Sequence, residues 1–297
     1  MAVQTSTTGA LENAAKEMIA TARFTEEHNA PCMELVEHFT LAKGSDTLVV
    51  PKVGQISMDP LIEGEDIVSE KDIGMTTVSV SPSEVGGKVI ITDKLLRQNS
   101  QDIWRIIGRQ LGDGMSRRKD RDIIVLFAGL NGGTNLGEAA NVLDVHAAGG
   151  CIGFAKANRF GPVSELRAVH HPNAILELSK SATTMGAATF ASALSTGFSV
   201  DRLKNFYSGI TMSGCAFFED GNIDADANQD GVGAIFDQGA MGIVTGLETN
   251  TERERDASLR AWEMVIVSDY GAFEIDDTRG APMLYDVGAV STTGGAT

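Results

Sequence analysis

Alternating polar and apolar residues predict two strands that flank an acidic segment. Residues 47–53 (TLVVPKV) and 77–81 (TVSVS) have the composition of strands, and the second alternates strictly. Between them, residues 57–74 carry six acidic residues against one lysine and have no apolar face wide enough to fold alone. A long two-stranded excursion is marginal in water, so we expect it to lie on a neighbouring surface. A third strand is predicted at 88–93, after a turn at Gly86-Gly87.

A helical repeat begins at Ile103. Its apolar residues recur at every fourth position: Ile103, Ile107, Leu111 and Met115. Ser100 is suited to cap this helix, because its hydroxyl can accept a hydrogen bond from a free backbone amide. Three glycines inside the repeat each cost roughly 1 kcal/mol relative to alanine. These glycines, at positions 108, 112 and 114, mark either a bend or the close approach of another backbone.

The remaining patterns mix short strands and helices, so the predicted fold class is α+β. A short helical pattern at 10–21 is too small to form a core alone and fits an arm that packs on something else. Later segments predict a strand at 166–172, a helix at 173–183, a strand or strand pair at 209–220, a strand end, turn and short helix at 233–246, and a strand at 258–275 that turns at Tyr270-Gly271.

Charge is distributed unevenly along the 297 residues, whose formal net charge is −16. Residues 219–277 hold fifteen acidic residues and three arginines, a net of −12. Residues 88–121 hold nine basic and four acidic residues, a net of +5. The overall acidity argues against nucleic-acid binding across the whole surface, but one basic strip could still meet a polyanion. Charges that serve only solubility are the alternative for each segment.

Cysteine usage and hydropathy narrow the class of protein further. Cys32, Cys151 and Cys215 are too few and too scattered for a disulfide framework or a zinc site, and they fit a reducing compartment. No run reaches the ~18 apolar residues needed to span a bilayer. The start of the chain lacks the basic end and apolar stretch of a signal peptide. These features predict synthesis in a cytoplasm and no membrane partner.

No catalytic or cofactor motif is found, so the chain is predicted not to be an enzyme and to need no cofactor. The patterns G-x-S-x-G, H-E-x-x-H and G-x-x-x-x-G-K-[ST] are absent. Residues 226–237 approach a calcium loop, with candidate ligands at Asp226, Asn228, Asp230 and Asp237. The last ligand is one methylene shorter than the usual glutamate, and no helical pattern flanks the loop. An exposed acidic loop with Asx turns is the favoured interpretation.

The order of elements resembles the major capsid proteins of tailed phages, which have the Hong Kong 97-type fold. That order is an arm, a long acidic β-excursion, a long helix with a basic face, an α/β middle and a return strand. Residues 78–129 are similar to the second strand of the family's extended loop followed by its spine helix. Residues 167–178 look like the strand–helix step of the family's axial domain, and residues 213–275 are similar to the late part of the family's chains. The resemblance is one of pattern, because the family has no short diagnostic motif.

The resemblance implies a division of the chain and a function. The implied regions are an N-terminal arm at 1–46, an extended β-loop at 47–85, a peripheral domain with a long spine helix at 86–160 and 255–297, and an axial domain at 161–254. A major capsid protein of this type self-assembles into hexamers and pentamers that close into an icosahedral shell. In the virion, such a shell encloses double-stranded DNA. The implied partners are further copies of the chain, the packaged DNA, a separate scaffolding protein, a portal and decoration proteins.

Two questions stay open at this level. The basic residues of the spine helix could contact DNA or form ion pairs within or between subunits: Arg105, Arg109, Arg117, Arg118, Lys119 and Arg121. The function could also differ from that of a phage capsid. An encapsulin-like nanocompartment would have the same fold around a protein cargo, and a soluble calcium-binding protein or enzyme would be a discrete oligomer.

Overall fold

The computed structural model describes residues 30–54, 56, 58–60, 63, 71–72, 74–98, 103–158, 165–189 and 210–288. Its helices are α1 (Cys32–Leu35), α2 (Asp93–Gln98), α3 (Ile103–Phe127), α4 (Val145–Asn158) and α5 (Pro172–Thr189). Its strands are β1 (Glu37–Thr40), β2 (Leu48–Val53), β3 (Met75–Val80), β4 (Ser83–Thr92), β5 (Leu166–His170), β6 (Ile210–Met212), β7 (Cys215–Glu219), β8 (Asp230–Asp237), β9 (Met241–Asp256), β10 (Ala261–Glu274) and β11 (Gly280–Asp286). This mixture confirms the predicted α+β class. No described helix is both long enough and apolar enough to cross a membrane.

A four-stranded sheet is built around the long hairpin of β9 and β10. The strand order is β1-β9-β10-β4. β10 runs antiparallel to both of its neighbours, with Trp262 opposite Arg255 of β9 and Ile91 of β4. β1 runs parallel to β9 at the other edge, where Phe39 lies opposite Val244. The segment after residue 30 is therefore fixed to a strand from the late part of the chain.

The second large sheet has five strands in the order β11-β8-β5-β7-β6. β5 lies at its centre, parallel to β7 and antiparallel to β8. β11 pairs along β8, and β6 closes a hairpin with β7. One apolar cluster joins this sheet to the helices packed on it, and it includes Ile152 of α4, Leu178 of α5 and Ile235 of β8.

Helix α3 connects the cores of the two sheets. One row of residues at every fourth position runs along it: Ile103, Ile107, Leu111, Met115, Lys119, Ile123 and Phe127. At the N-terminal end, Ile103 packs in a cluster with Ile91 and Leu95. At the C-terminal end, Phe127 packs against Phe236 of β8, with ring centroids 5.7 Å apart. Because each step of four residues advances by about 40°, the row winds roughly 240° around the axis and contacts different surfaces at its two ends.

Several predicted strands are confirmed, but three predicted turns or helices are wrong. Gly86-Gly87 lie inside β4, and Tyr270-Gly271 lie inside β10. Residues 241–246 begin β9 rather than forming a short helix. In each case, pairing with a long neighbouring strand overrides the local preference for a turn or a helix. A Cβ at Gly86 would lie 2.7 Å from the Ile266 carbonyl oxygen, so this strand position requires glycine.

The close approach of another backbone does not explain the glycines of α3. A Cβ at Gly108 would meet only the Met264 methyl group, at 3.5 Å, and nothing lies within 4 Å of a Cβ at Gly112 or Gly114. No backbone in the described part of the chain therefore approaches the three positions, and the helix is continuous through them. The predicted cap at Ser100 and the predicted helix at 10–21 lie outside the described residues.

The two sheets divide the chain differently from the ranges that the resemblance implied. β9 begins before position 254, yet it belongs to the same sheet as β10 and β4. β11 follows position 255, yet it belongs to the sheet that contains β5 and β8. The chain therefore crosses between the sheets twice in its last third, once between β8 and β9 and again between β10 and β11.

Replacing Gly233 by alanine should lower the free energy of unfolding by about 2–3 kcal/mol. A Cβ at this position in β8 would lie 2.4 Å from both the Val169 carbonyl oxygen and the His170 ring, and a backbone atom cannot move aside cheaply. The matched control is Gly153→Ala in α4, where nothing lies within 4 Å. The control should be stabilised by about 0.5–1 kcal/mol through helix propensity. Urea unfolding of the unassembled protein measures both free-energy changes. A Gly233→Ala variant as stable as the parent would contradict the packing of β8 against β5 in the five-stranded sheet.

Candidate functional site

The β2–β3 hairpin pairs only with itself among the described strands. Its register places three residues of β2 opposite three of β3: Val49, Pro51 and Val53 opposite Ser79, Thr77 and Met75. These six side chains share one side of the hairpin, which we call the outer hairpin face. The directly opposed pair Val53 and Met75 is 59% and 64% exposed, and Val49 is 55% exposed. The hairpin thus presents a row of apolar side chains that the described part of the chain leaves uncovered.

The opposite side of the hairpin rests on the body of the protein. Lys52 Nζ lies 2.5 Å from Asp276 Oδ1, in the connection between β10 and β11. The Val80 side chain packs beside Gly271 of β10. Burial alone would raise the pKa of Asp276, but hydrogen bonds from Lys52 and Thr278 outweigh it and hold that pKa below its usual value. A charged carboxylate therefore anchors the hairpin to the body of the protein at neutral pH.

The six basic residues of α3 do not form a single strip. Because successive residues turn by about 100°, Arg105 and Arg117 point about 120° apart around the helix. Three of the arginines lie beside carboxylates of their own chain: Arg109 Nε is 3.6 Å from Asp113, Arg118 Nε is 3.1 Å from Asp122, and Arg121 Nη2 is 2.7 Å from Asp224. Such exposed pairs contribute roughly 0–1 kcal/mol each to stability. Their larger effect is to reduce the positive potential that the helix offers to a polyanion.

Lys119 belongs to the packing of α3 rather than to its outer surface. Its Nζ donates to Thr249 Oγ1 at 3.0 Å and lies 5.2 Å from the centre of the Tyr270 ring. Burial lowers the pKa of this amine. The position follows from the winding apolar row, in which Lys119 is the one polar member. Its stem can fill the interface between α3 and the β9–β10 hairpin while the amine finds a hydroxyl.

The four residues of the calcium-loop candidate are not brought together. Asp226 Oδ1 accepts hydrogen bonds from the backbone amides of Asn228 and Asp230, both at 2.8 Å, which is an Asx turn. Asp230 begins β8 and Asp237 ends it, so an extended strand separates them by roughly 23 Å. Asp237 is buried at that far end, with Oδ2 3.4 Å from Arg279 Nη1. The proposed set of four cannot bind one calcium ion, because strand pairing with β5 and β11 extends the residues that a calcium loop would curl.

A buried polar cluster joins three segments that are distant in sequence. The amide of Cys32 donates to Asp120 Oδ1 at 3.1 Å, and its thiol donates to Asp220 Oδ2 at 3.3 Å. Asn222 completes the network, because its Nδ2 donates to Asp120 Oδ2 at 3.0 Å and its amide donates to Asp220 Oδ1 at 2.8 Å. We call these four residues the arm cluster, since they attach α1 to α3 and to the loop after β7. No spacing rule could predict it, because its members are 88 and 188 positions apart.

Electrostatics distinguish the arm cluster from the rest of the core. Burial, together with the neighbouring Asp220, raises the pKa of Asp120 from 3.8 to about 7. Burial and both carboxyl groups raise the pKa of the Cys32 thiol far above its usual value, so the thiol stays protonated and unreactive. The sulfur and two carboxyl oxygens lie within 4.8 Å of one another, close enough to hold a metal ion. The same three residues are also joined to one another by hydrogen bonds from the Cys32 amide and thiol.

Comparison with known proteins places this geometry in a fold. No family model matches the chain, and no curated protein matches it. Among solved structures, the capsid of cyanophage Pam1 superposes with a TM-score of 0.69 at 12% identity, covering 91% of this chain and 95% of its own. The capsid of cyanophage P-SCSP1u superposes with a TM-score of 0.65 at 13% identity, covering 93% and 92%. The chain has the Hong Kong 97-type capsid fold.

The same fold also occurs in an encapsulin. The SrpI encapsulin complex from Synechococcus elongatus PCC 7942 superposes with a TM-score of 0.61 at 12% identity and covers 98% of this chain and 99% of its own. The similarity spans nearly the whole chain in all three comparisons, so it is a likeness of complete folds rather than of one shared sheet.

Replacing Lys52 by methionine should loosen the attachment of the hairpin to the body of the protein. The substitution keeps most of the side chain's length and removes the ammonium group that binds Asp276. Because the pair is partly exposed, we expect a loss of about 1 kcal/mol, seen as roughly fivefold faster hydrogen exchange of the β2 and β3 amides. The control is Lys43→Met, an exposed lysine with the same change in charge. Equal exchange in both variants, or a Lys52→Met effect that persists in an Asp276→Asn background, would show that the ion pair does not hold the hairpin.

Proposed function

We propose that this chain is the major capsid protein of a tailed phage, a shell subunit that assembles with copies of itself into hexamers and pentamers. The observation that carries this proposal is the outer hairpin face, an exposed apolar surface on a two-stranded hairpin of a capsid-fold protein. Burying a valine or methionine side chain is worth roughly 1.5–3 kcal/mol. A protein that leaves such side chains on one hairpin gains that energy only when a neighbouring subunit covers them. The role is structural rather than catalytic.

The sheets suggest how the chain is divided within such a shell. We assign the arm to residues 1–46 and the extended loop, which includes β2 and β3, to residues 47–85. The four-stranded sheet with α3 as its spine helix forms the peripheral domain, to which the arm contributes β1 and the end of the extended loop contributes the start of β4. The five-stranded sheet with α4 and α5 forms the axial domain. The resemblance alone would bound the axial domain at residues 161 and 254. Here β9 belongs instead to the peripheral domain and β11 to the axial domain, because β9 pairs within the four-stranded sheet and β11 within the five-stranded sheet.

Packaged double-stranded DNA would meet this shell through weak, salt-sensitive contacts. We assign that contact to the exposed arginines of α3, which are Arg105, Arg109, Arg117, Arg118 and Arg121. The proposed setting is a virion assembled in the host cytoplasm with a separate scaffolding protein, a portal and decoration proteins.

An encapsulin-like shell is the second candidate, and full-length similarity to the SrpI encapsulin favours it. The two functions differ in what the shell encloses. Nuclease-protected double-stranded DNA in purified particles would support the capsid function. A single protein cargo without nucleic acid would support the compartment. Ultraviolet absorbance at 260 and 280 nm, followed by gel electrophoresis of the contents, separates them.

Placing charges on the outer hairpin face should abolish shell assembly without unfolding the subunit. In the double variant Val53→Asp/Met75→Asp, two carboxylates replace apolar side chains that are more than half exposed in the single chain. Burying each without a partner costs several kcal/mol, so the yield of closed shells should fall by more than roughly tenfold. Negative-stain electron microscopy of the protein, produced with its scaffold, measures that yield.

A conservative pair of substitutions provides the control. Val53→Ile/Met75→Leu keeps the outer hairpin face apolar and should assemble as the parent does. Circular dichroism should give both variants the melting temperature of the unassembled parent, because the altered side chains touch solvent in the single chain. Normal shells from the charged variant would show that the hairpin is not an assembly surface. A parent protein that stays monomeric or dimeric under all conditions would refute the shell function itself.

A further inference from the structure

The arm cluster buries two carboxyl groups without a cationic partner. Among the described residues, no lysine or arginine forms an ion pair or hydrogen bond with Asp120 or Asp220. The nearest basic residues on adjoining elements contact other groups: Lys119 contacts Thr249, Arg121 contacts Asp224, and Arg167 Nη1 donates to the Leu35 carbonyl oxygen at 2.6 Å. Asp120 and Asp220 are 0% and 1% exposed, so water does not compensate for the missing cation.

Two buried carboxylates cannot both ionise cheaply at this separation. Each accepts a hydrogen bond from Cys32, so their oxygens surround one small residue. In a low dielectric, like charges at this range repel strongly, and one proton held between the two groups removes that repulsion. A protonated carboxyl group can also donate a hydrogen bond to its neighbour, whereas two ionised carboxylates can only accept.

We propose that Asp120 and Asp220 share one proton, and that this proton fastens residues 31–40 to the body of the protein. The fastened segment consists of α1 and the four-residue strand β1. Apart from strand pairing with β9, its polar attachments to the body are the Cys32 amide, the Cys32 thiol and the Arg167 bond to Leu35. The first two of these end on the carboxyl pair. The proton therefore controls how firmly residues 31–40 are held against α3 and the loop after β7. This inference does not depend on the proposed shell function.

The titratable groups around the pair define the direction of the effect. From α1 the pair meets only the Cys32 thiol, which stays protonated. From β5 the His170 carbonyl oxygen accepts from the Asp220 amide at 3.0 Å, and burial lowers the pKa of the His170 ring to about 4, so the ring stays neutral at higher pH. From the loop after β7 the pair meets the neutral amide of Asn222. Asp120 is therefore the group in this network whose charge changes near pH 7.

The direction of the pH effect follows from the difference in the pKa of Asp120 between two states. In the closed state residues 31–40 are attached to the body of the protein, and in the released state they are not. In the closed state the pKa of Asp120 is about 7, and in a released, solvated state it returns toward 3.8. The closed state therefore holds its proton more tightly, and its stabilisation is lost as the pH rises from about 4 to about 7. Above about pH 7 both states are ionised and the effect levels off. Between pH 5.5 and 8.5, these two values give an increase of about thirtyfold in the population of the released state.

The reactivity of Cys32 measures release directly. The full-length protein is treated with a thiol reagent between pH 5.5 and 8.5, and the labelled cysteine is identified by peptide mass spectrometry. Each rate is divided by the rate of the urea-unfolded protein at the same pH, which removes the intrinsic pH dependence of the thiol. We expect the ratio for Cys32 to rise about thirtyfold over this range. Cys151 and Cys215 are buried elsewhere in the same molecule and serve as internal controls whose ratios should not follow that curve.

Two variants test the role of the proton. Asp120→Asn keeps the size of the side chain and resembles the protonated carboxyl, so its Cys32 ratio should stay low and change less than about threefold between pH 5.5 and 8.5. Asp224→Asn removes an exposed carboxylate from the same loop and should leave the parent curve unchanged. If Asp120→Asn does not fold, the pH profile of the parent and Asp220→Asn provide the same comparison.

Three results would overturn the proposal. A Cys32 ratio independent of pH in the parent would show that no proton is released in this range. A full pH dependence in both Asp120→Asn and Asp220→Asn would place the titrating group elsewhere. A stoichiometric metal in the purified protein, with Cys32 labelling that depends on a chelator rather than on pH, would show that a cation replaces the proton.

Discussion

The winding apolar row of α3 is the constraint on which the rest of the structure depends. A helix whose apolar residues keep to one side can cover one surface. Here the i+4 row turns continuously, so Ile103 and Ile123 point to nearly opposite sides of the same rod. The N-terminal end packs beside β4 and α2, and the C-terminal end packs beside β8 and β9. One rigid helix about 37 Å long thereby fixes the two sheets relative to each other.

This winding also explains the arrangement of charge on the helix. Polar positions must follow the surface that remains exposed, and that surface rotates along with the buried row. The basic residues consequently spread around α3, and Lys119 lies within the packed row. Asp120 becomes fully buried for the same reason, because it lies beside the row where α1 and the loop after β7 close over the helix. The proton that we assign to this carboxyl is thus a consequence of covering the helix on a second side.

The hairpin of β2 and β3 shows the opposite situation, an element that its own chain covers on one side only. The Lys52–Asp276 pair attaches it to the body, and Val80 packs against β10. The outer hairpin face has no comparable contact in the described part of the chain. Intrachain packing therefore sets the position of the hairpin, and association with another surface supplies the missing burial. A subunit built for assembly divides its apolar surface in this way, whereas an independent monomer would fold it inward.

The sequence by itself determined the class of the elements and several of their positions. Strict alternation predicted β3, the strand composition of 47–53 predicted β2, and the repeat from Ile103 to Met115 predicted α3, because burial of one face imposes a period that local reasoning can detect. The order of elements was also enough to suggest the capsid fold. Tertiary structure decided what depends on distant partners. Gly86-Gly87 and Tyr270-Gly271 favour turns locally, but they are held in strands by β10 and by β4 and β9. The same pairing extends β8 and separates Asp230 from Asp237, and only chain closure brings Cys32 to Asp120 and Asp220. Such contacts join positions far apart in sequence, so their energy leaves no periodic pattern in the residues themselves.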